Sequence, residues 1–149
     1  MPALQPARGT QDLLPETARR HRCVNETARH CAELYGFAEM ATPIFEFTEV
    51  FSRPIGEHTD IVAKETYDFT TRGGDAMTLR PEGTAPTLRA HVQHRLHIER
   101  PVTKLYYVAS IFRYERQQKG RYRQHHQVGV EALGAAGPDI DAEVIALAM

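Results

Sequence analysis

LYYVASIFRYERQQKGRYRQHHQVGVE, residues 105–131, decides the fold. It alternates twice around a polar break. In the first arm Leu105, Tyr107, Ala109, Ile111, Arg113 and Glu115 share one face, and Tyr106, Val108, Ser110, Phe112 and Tyr114 share the other. A period of two is a strand. Gln117 to Gly120 interrupts the pattern and supplies a turn glycine. In the return arm Arg121, Arg123, His125, Gln127, Gly129 and Glu131 line one face; Tyr122, Gln124, His126, Val128 and Val130 line the other. The stretch predicts a β-hairpin with a long basic tip. Burial alone does not call for a strand face of Arg, Arg, His, Gln, Gly and Glu. Such a face suits a charged small molecule.

The side chains give that face a direction. Arg113, on the strand, can present a rigid fork to a carboxylate or phosphate. Glu115 shares its face and can equally neutralise a neighbouring arginine. The tip, Arg116 to Arg121, offers cations that could close over a polyphosphate. On the return arm His125 can stack on a base, Gln127 can donate and accept, Glu131 accepts, and Gly129 clears space. Groups for anions and for cations on one surface suit a zwitterion, such as an amino acid, beside a nucleotide.

Upstream, Leu79-Arg80-Pro81-Glu82-Gly83-Thr84-Ala85-Pro86 ends a strand and opens a helix. Thr84 suits an N-cap, Pro86 a first turn, and Leu88 and Val92 a buried face. Glu82 stands just before the cap, where little in the backbone asks for a carboxylate, and Gly83 permits close approach of a ligand. His91, His94 and His97 are read as solvated, since three-residue steps drift around a helix and no carboxylate completes a metal set. Segments 66–70 and 77–80 read as two short strands around a Gly-Gly turn, and 52–64 as a loop.

Nearer the N-terminus, Val24, Ala28, Cys31, Leu34 and Tyr35 fall at helical spacing between Pro15 and Gly36, which suit a first turn and a stop. The arginines of the opposite face read as solvated. Residues 1–14 read as a tail that caps this helix. Pro43 belongs at a strand start or edge, a place either covered or paired with another subunit. Beyond Glu131, a Gly-rich loop leads to Asp139 and Asp141 in a helical first turn. The chain ends at Met149 inside that pattern, so truncation is expected.

Composition bounds the function classes. The 149 residues suffice for one domain with a core. A net charge of −1 does not give the basic footprint of a whole-protein nucleic-acid binder. Charge is local: five basic residues against Glu115 between Arg113 and Arg123. Cys23 and Cys31, eight apart on a helix, stand roughly 12 Å apart, too far for a disulfide. Reduced cysteines, with no signal peptide or membrane-length apolar run, lead to the expectation of a cytoplasmic protein without a membrane partner.

FRYERQQKGRYRQHHQVGVE, residues 112–131, resembles motif 2 of the class II aminoacyl-tRNA synthetases, and specifically of the histidyl-tRNA synthetases. LRPEGTA (79–85) and RGTQDLLP (8–15) resemble two further stretches of that family, and ARHCAELYGFAEMATPIFE (28–46) resembles its motif 1. The resemblance covers essentially the whole chain. It implies an α+β fold: an antiparallel class II sheet flanked by helices, incomplete at the C-terminus, with residues 1–149 forming the N-terminal part of a catalytic domain. It implies activation of histidine by ATP, carried as its Mg2+ complex, then transfer to tRNA(His), with no protein-bound metal. Arg113 matches the arginine bridging the amino-acid carboxylate and the α-phosphate, the catalytic position. Glu82, Gly83, Thr84, Gln127 and Glu131 fall at the histidine site, with Glu131 reading the imidazole N–H. Glu115, His125, Arg121 and Arg123 fall at the ATP site. A homodimer through the region around Pro43 is also implied. His125 stands where an adenine-stacking aromatic is usual, and Gln117 where proline is common, so weaker adenine packing and a looser tip are expected. Motif 3 and the anticodon-binding domain would lie beyond Met149. Two other readings fit the residues less fully. One is the histidine-binding regulatory subunit of ATP phosphoribosyltransferase. The other is a phosphate- or RNA-binding module.

Overall fold

A computed structural model describes residues 4–52, 65–116 and 118–149. The expected loop over 52–64 falls outside the described residues except for Ser52, and Gln117 falls outside them too. The described chain forms two three-stranded sheets. In the larger, β5 (Thr103–Phe112) lies between β1 (Ala38–Glu39) and β6 (Gln124–Leu133). In the smaller, β4 (Ala76–Leu79) lies between β2 (Phe45–Phe47) and β3 (Tyr67–Thr70). Helices α1 (Pro15–Leu34), α2 (Glu49–Ser52), α3 (Thr84–Gln93), α4 (Leu96–Glu99) and α5 (Pro138–Ala148) accompany them. The architecture is α+β, and the pairing is antiparallel except for β1, which runs parallel to β5.

The predicted hairpin is β5–β6. Ten residue pairs run from Thr103↔Leu133 to Phe112↔Gln124. The ladder stops earlier than the alternation suggests, so Arg113 and Glu115 lie beyond β5. The cause is competition for backbone partners. Arg113 N still donates to Arg123 O at 2.9 Å, but Tyr114 N turns to Glu65 O and Arg123 N to Gly9 O.

One hairpin face makes the core. Tyr106, fully buried, packs with Ala32 of α1 and Phe37, flanked by Val108, Val130, Ala132, Val144 and Leu147. Its hydroxyl donates to Glu33 at 2.9 Å, and burial followed by that carboxylate pushes the phenol up to about 12. The opposite face carries the buried cluster Tyr107, Ala109 and Ile111.

One helix is a surface helix with an open stripe, and another turns a different face inward than expected. In α1 only Ala32 is buried, while Val24 and Leu34 are 64% and 71% exposed. Its apolar stripe borders a groove of about 500 Å³ lined by Cys23, Ala28, Cys31, Val128 and Val144 among others. In α3 the residues turned inward are Pro86, Thr87, Ala90 and His91, and Leu88 and Val92 stay exposed. Polar anchors set that rotation. His91 Nε2 meets Thr103 Oγ1 at 3.3 Å, and Arg89 pairs with the buried Glu46 of β2. His91 is therefore not solvated, and its ring also lies 5.8 Å from that of His97.

Arg80 joins the sheets. Its Nε donates to Ser110 O and its guanidinium to Thr42 O, both at 2.8 Å, while Phe112 N donates to Arg80 O at 3.0 Å. Pro43, expected at a strand start or edge, lies between β1 and β2. Its carbonyl also faces Arg80 at 3.4 Å.

Candidate active site

Register assembles the site. On the face away from α1, Ile111 pairs with His125, Ala109 with Gln127, Tyr107 with Gly129 and Leu105 with Glu131. The polar face read from the return arm and the apolar odd positions of the first arm are thus one surface. The apolar residues floor it, and the polar ones rise from β6.

The start of α3 closes one end. Thr84 Oγ1 donates to Glu131 Oε1 at 2.7 Å, across 47 residues of sequence. Glu82 accepts the backbone N–H groups of Thr84 and Ala85, the latter at 2.9 Å. That changes two expectations. Thr84 is not the side-chain cap; Gly83 is the N-cap residue and offers no side chain. Glu82 satisfies the orphan donors of the first turn, a structural demand for a carboxylate there. A negative charge at a helix N-terminus is also favoured by the dipole.

Gly83 and Gly129 make room for a ring of the protein itself. A β-carbon at either would overlap Tyr107 Cζ. The Tyr107 hydroxyl receives the Gln127 Nε2 amide at 3.3 Å. Burial raises its pKa, with Glu131 the next cause. Burial likewise holds the Glu131 carboxyl above the usual range, against the Thr84 hydrogen bond, which lowers it. Glu82, Gly83, Thr84, Gln127 and Glu131 therefore converge, with Tyr107 at their centre.

The other end is cationic. Arg113 Nε donates to Pro81 O at 2.8 Å, which ties the hairpin to the strand-to-helix turn. Its Nη1 lies 3.6 Å from Glu115, and Arg121 lies 3.4 Å from the other oxygen of the same carboxylate. Glu115 is well shielded, with 18% of its side chain exposed, and neutralises both arginines. His125 lies near this group. Burial lowers its pKa, Arg113 adds to the lowering, and Glu115 opposes it.

Arg123 is drawn elsewhere. Its guanidinium lies 4.0 Å from the Tyr114 ring centre, and its Nε is buried without a hydrogen-bond partner. Its stem passes over Gly9, where a β-carbon would stand 2.6 Å from Arg123 Cγ. Residues 7–10 form a turn whose Gly9 carbonyl accepts Arg123 N at 2.7 Å. The N-terminal stretch thus buttresses the hairpin, whereas a tail capping α1 was expected; the α1 N-cap, Leu14, makes no side-chain cap.

Sequence reading missed Tyr107, Arg80 and Gly9. Tyr107 had a usable signal, a large ring directly across the ladder from a glycine. Arg80 and Gly9 act through backbone groups distant in sequence, and their one signal was a place inside the stretches LRPEGTA and RGTQDLLP. Among the described residues no three His, Cys, Asp or Glu side chains are grouped to hold a metal ion, and no helix is long and apolar enough to cross a membrane.

Comparison with known proteins adds the context. A family model described as histidyl-tRNA synthetase matches residues 9–149. A histidine–tRNA ligase of Rhodospirillum rubrum is 58% identical over 147 residues, covering 99% of this chain and 35% of the relative. One from Geobacillus thermodenitrificans is 55% identical over 149 residues, with coverages of 99% and 35%. The structure of apo histidyl-tRNA synthetase from S. aureus matches with a TM-score of 0.82 at 38% identity, over 99% of this chain and 33% of that one. A Bacillus halodurans structure described as an ATP phosphoribosyltransferase regulatory subunit/histidyl-tRNA synthetase matches with a TM-score of 0.82 at 25% identity, over 99% and 37%. The chain spans about a third of the length of the curated relatives it matches.

Proposed function

The chain belongs to the histidyl-tRNA synthetase family, and from that premise we propose that the whole protein activates histidine with ATP and transfers it to tRNA(His). Residues 1–149 supply the N-terminal part of its catalytic domain. The observation that carries the reading is the convergence of Glu82, Thr84, Gln127 and Glu131 at one end of the hairpin face and of Arg113, Glu115 and Arg121 at the other.

The chemistry follows the charge. An α-ammonium needs acceptors on several sides, and Glu82, Thr84 and Gln127 offer oxygens. Glu131 accepts an imidazole N–H; its raised pKa matches a carboxylate desolvated for a buried polar contact. Arg113, fixed by Pro81 O and with its Nη1 side shared with Glu115, turns the rest of its guanidinium toward the substrate carboxylate and the α-phosphate. As the carboxylate attacks phosphorus, charge grows on the phosphoryl oxygens, and a preorganised guanidinium stabilises it. Glu115 and His125 lie on the adenine side, with Gly83 bordering the amino acid. Arg121, and Arg123 if it leaves Tyr114, face the phosphates. ATP enters with its Mg2+.

A homodimer is part of the proposal. Phe45, Phe47 and Phe69 form an exposed aromatic face on the small sheet beside Pro43, which supports an interface there. A cytoplasmic location fits a tRNA-charging enzyme.

The regulatory-subunit reading has one specific support, the description carried by the Bacillus halodurans structure. The basic tip favours the synthetase, since a histidine sensor has no need to hold a triphosphate. Amino-acid-dependent ATP–pyrophosphate exchange by the full-length protein separates the two. Exchange with histidine and not with the other amino acids is the expected outcome. Histidine binding without exchange would transfer the assignment to the regulatory class.

A further inference from the structure

The two glycines at the site are required by space. Gly83 has φ −104°, open to any residue, and Gly129 is not among the positive-φ glycines. What each excludes is a side chain on either side of Tyr107. A ring that needed only burial could rest on Ala109 and Ile111. This one is also held at a height where its hydroxyl meets the Gln127 amide.

A primary amide has a donor end and an acceptor end of nearly equal shape, and a half-turn exchanges them. With its nitrogen committed to the Tyr107 hydroxyl, the Gln127 carbonyl oxygen is turned the other way. An ammonium carries only donors, so an amide that presented its N–H groups would repel it. Thr84 sets the direction: its proton goes to Glu131 and its hydroxyl also bonds that of Tyr107, so the Tyr107 proton goes to Thr84 and the phenol oxygen is left to accept from Gln127.

We infer that Tyr107 is a positioning residue of the amino-acid site. Its hydroxyl, seated in the gap between Gly83 and Gly129, fixes the Gln127 amide so that a carbonyl oxygen meets the ligand ammonium. The inference rests on the histidine reading given above.

The test uses full-length protein and two ligands, histidine and 3-(imidazol-4-yl)propanoate, which lacks the ammonium group. Tyr107→Phe keeps the ring and removes the hydroxyl. Its histidine Kd is expected to rise about tenfold, the loss of one charge-assisted hydrogen bond, with the imidazolylpropanoate Kd unchanged. Equal loss for both ligands, or none for histidine, overturns the inference. Gln127→Glu offers an oxygen in either orientation. It is expected to keep the preference for histidine, and in its background Tyr107→Phe is expected to cost nothing further. A lost preference in Gln127→Glu alone overturns the inference even if Tyr107→Phe does not fold. Wild-type protein that binds no histidine overturns the histidine reading as well, whereas wild-type binding with an unaffected Tyr107→Phe overturns the inference alone.

Discussion

Glu131, proposed to read the imidazole, sits at some cost to stability. Burial holds its pKa above the usual carboxylate range even though Thr84 donates to it. The unfolded chain therefore releases this proton first. Between the usual value of 4.5 and the raised folded value, this group lowers stability as pH rises, and the loss stays constant above that window. Glu131→Gln keeps an acceptor for Thr84 and removes the loss. Relative to wild type, its stability in urea is expected to rise with pH through that window and to be no lower at pH 7, while recognition of histidine collapses. A destabilised Glu131→Gln at pH 7 would contradict the burial argument. Arg80 is the opposite case, a buried cation that holds structure. Arg80→Leu strips the partner from the Ser110 and Thr42 carbonyls, and about 2–4 kcal/mol of stability is expected to go with it in a denaturant titration. The sequence distinguished these residues only partly. Glu131 stood out as a charge on a strand face. Arg80 did not, because its partners are backbone carbonyls 30 and 38 residues away. Glu82 was singled out on the ground that a backbone has no use for a carboxylate there, yet the first turn of α3 uses it.

At the scale of elements, the hairpin was the most legible feature. A period of two persists through β5 and β6, and the faces read from it are those of the structure. Its end was not legible, because the ladder stops where Gly9 and Glu65 take over the backbone partners. Helix periodicity gave α1 and α3 but not which side turns inward. In α3 the inward side is fixed by His91 and Arg89 through partners on β5 and β2, so Leu88 and Val92 face out. The Tyr107 seat couples β5, β6 and the start of α3. Gly129→Ala is expected to destabilise the chain by about 1–3 kcal/mol, the range of an overpacked core, because the ring has Gly83 on its other side. Adding Tyr107→Ala to Gly129→Ala is expected to cost less than the sum of the single changes, since the clash disappears. Strict additivity would show that the ring yields freely.

For the molecule as a whole, the larger sheet, the smaller sheet and α3 meet at Arg80, Arg113 and Thr84, and that junction is the proposed site. Resemblance in four stretches carried the α+β class and the family into view from sequence alone. The parallel pairing of β1 was hidden, since two residues leave no pattern. The chain also exposes Val24, Leu34, Phe45, Phe47, Val92 and Ile145 and spans about a third of its relatives' length. The 149-residue chain alone is accordingly expected to give no ATP–pyrophosphate exchange, and robust exchange by it would contradict the proposal that these residues supply only the N-terminal part of the catalytic domain. The most direct test places Arg113 in the same assay. In full-length protein, Arg113→Lys keeps the charge and loses the fork. Histidine-dependent exchange is expected to fall about a hundredfold or more, mainly in kcat, as for loss of a preorganised donor in a transition state. Exchange in Arg113→Lys at the wild-type rate would contradict the central claim that this hairpin face holds the reacting carboxylate and phosphate.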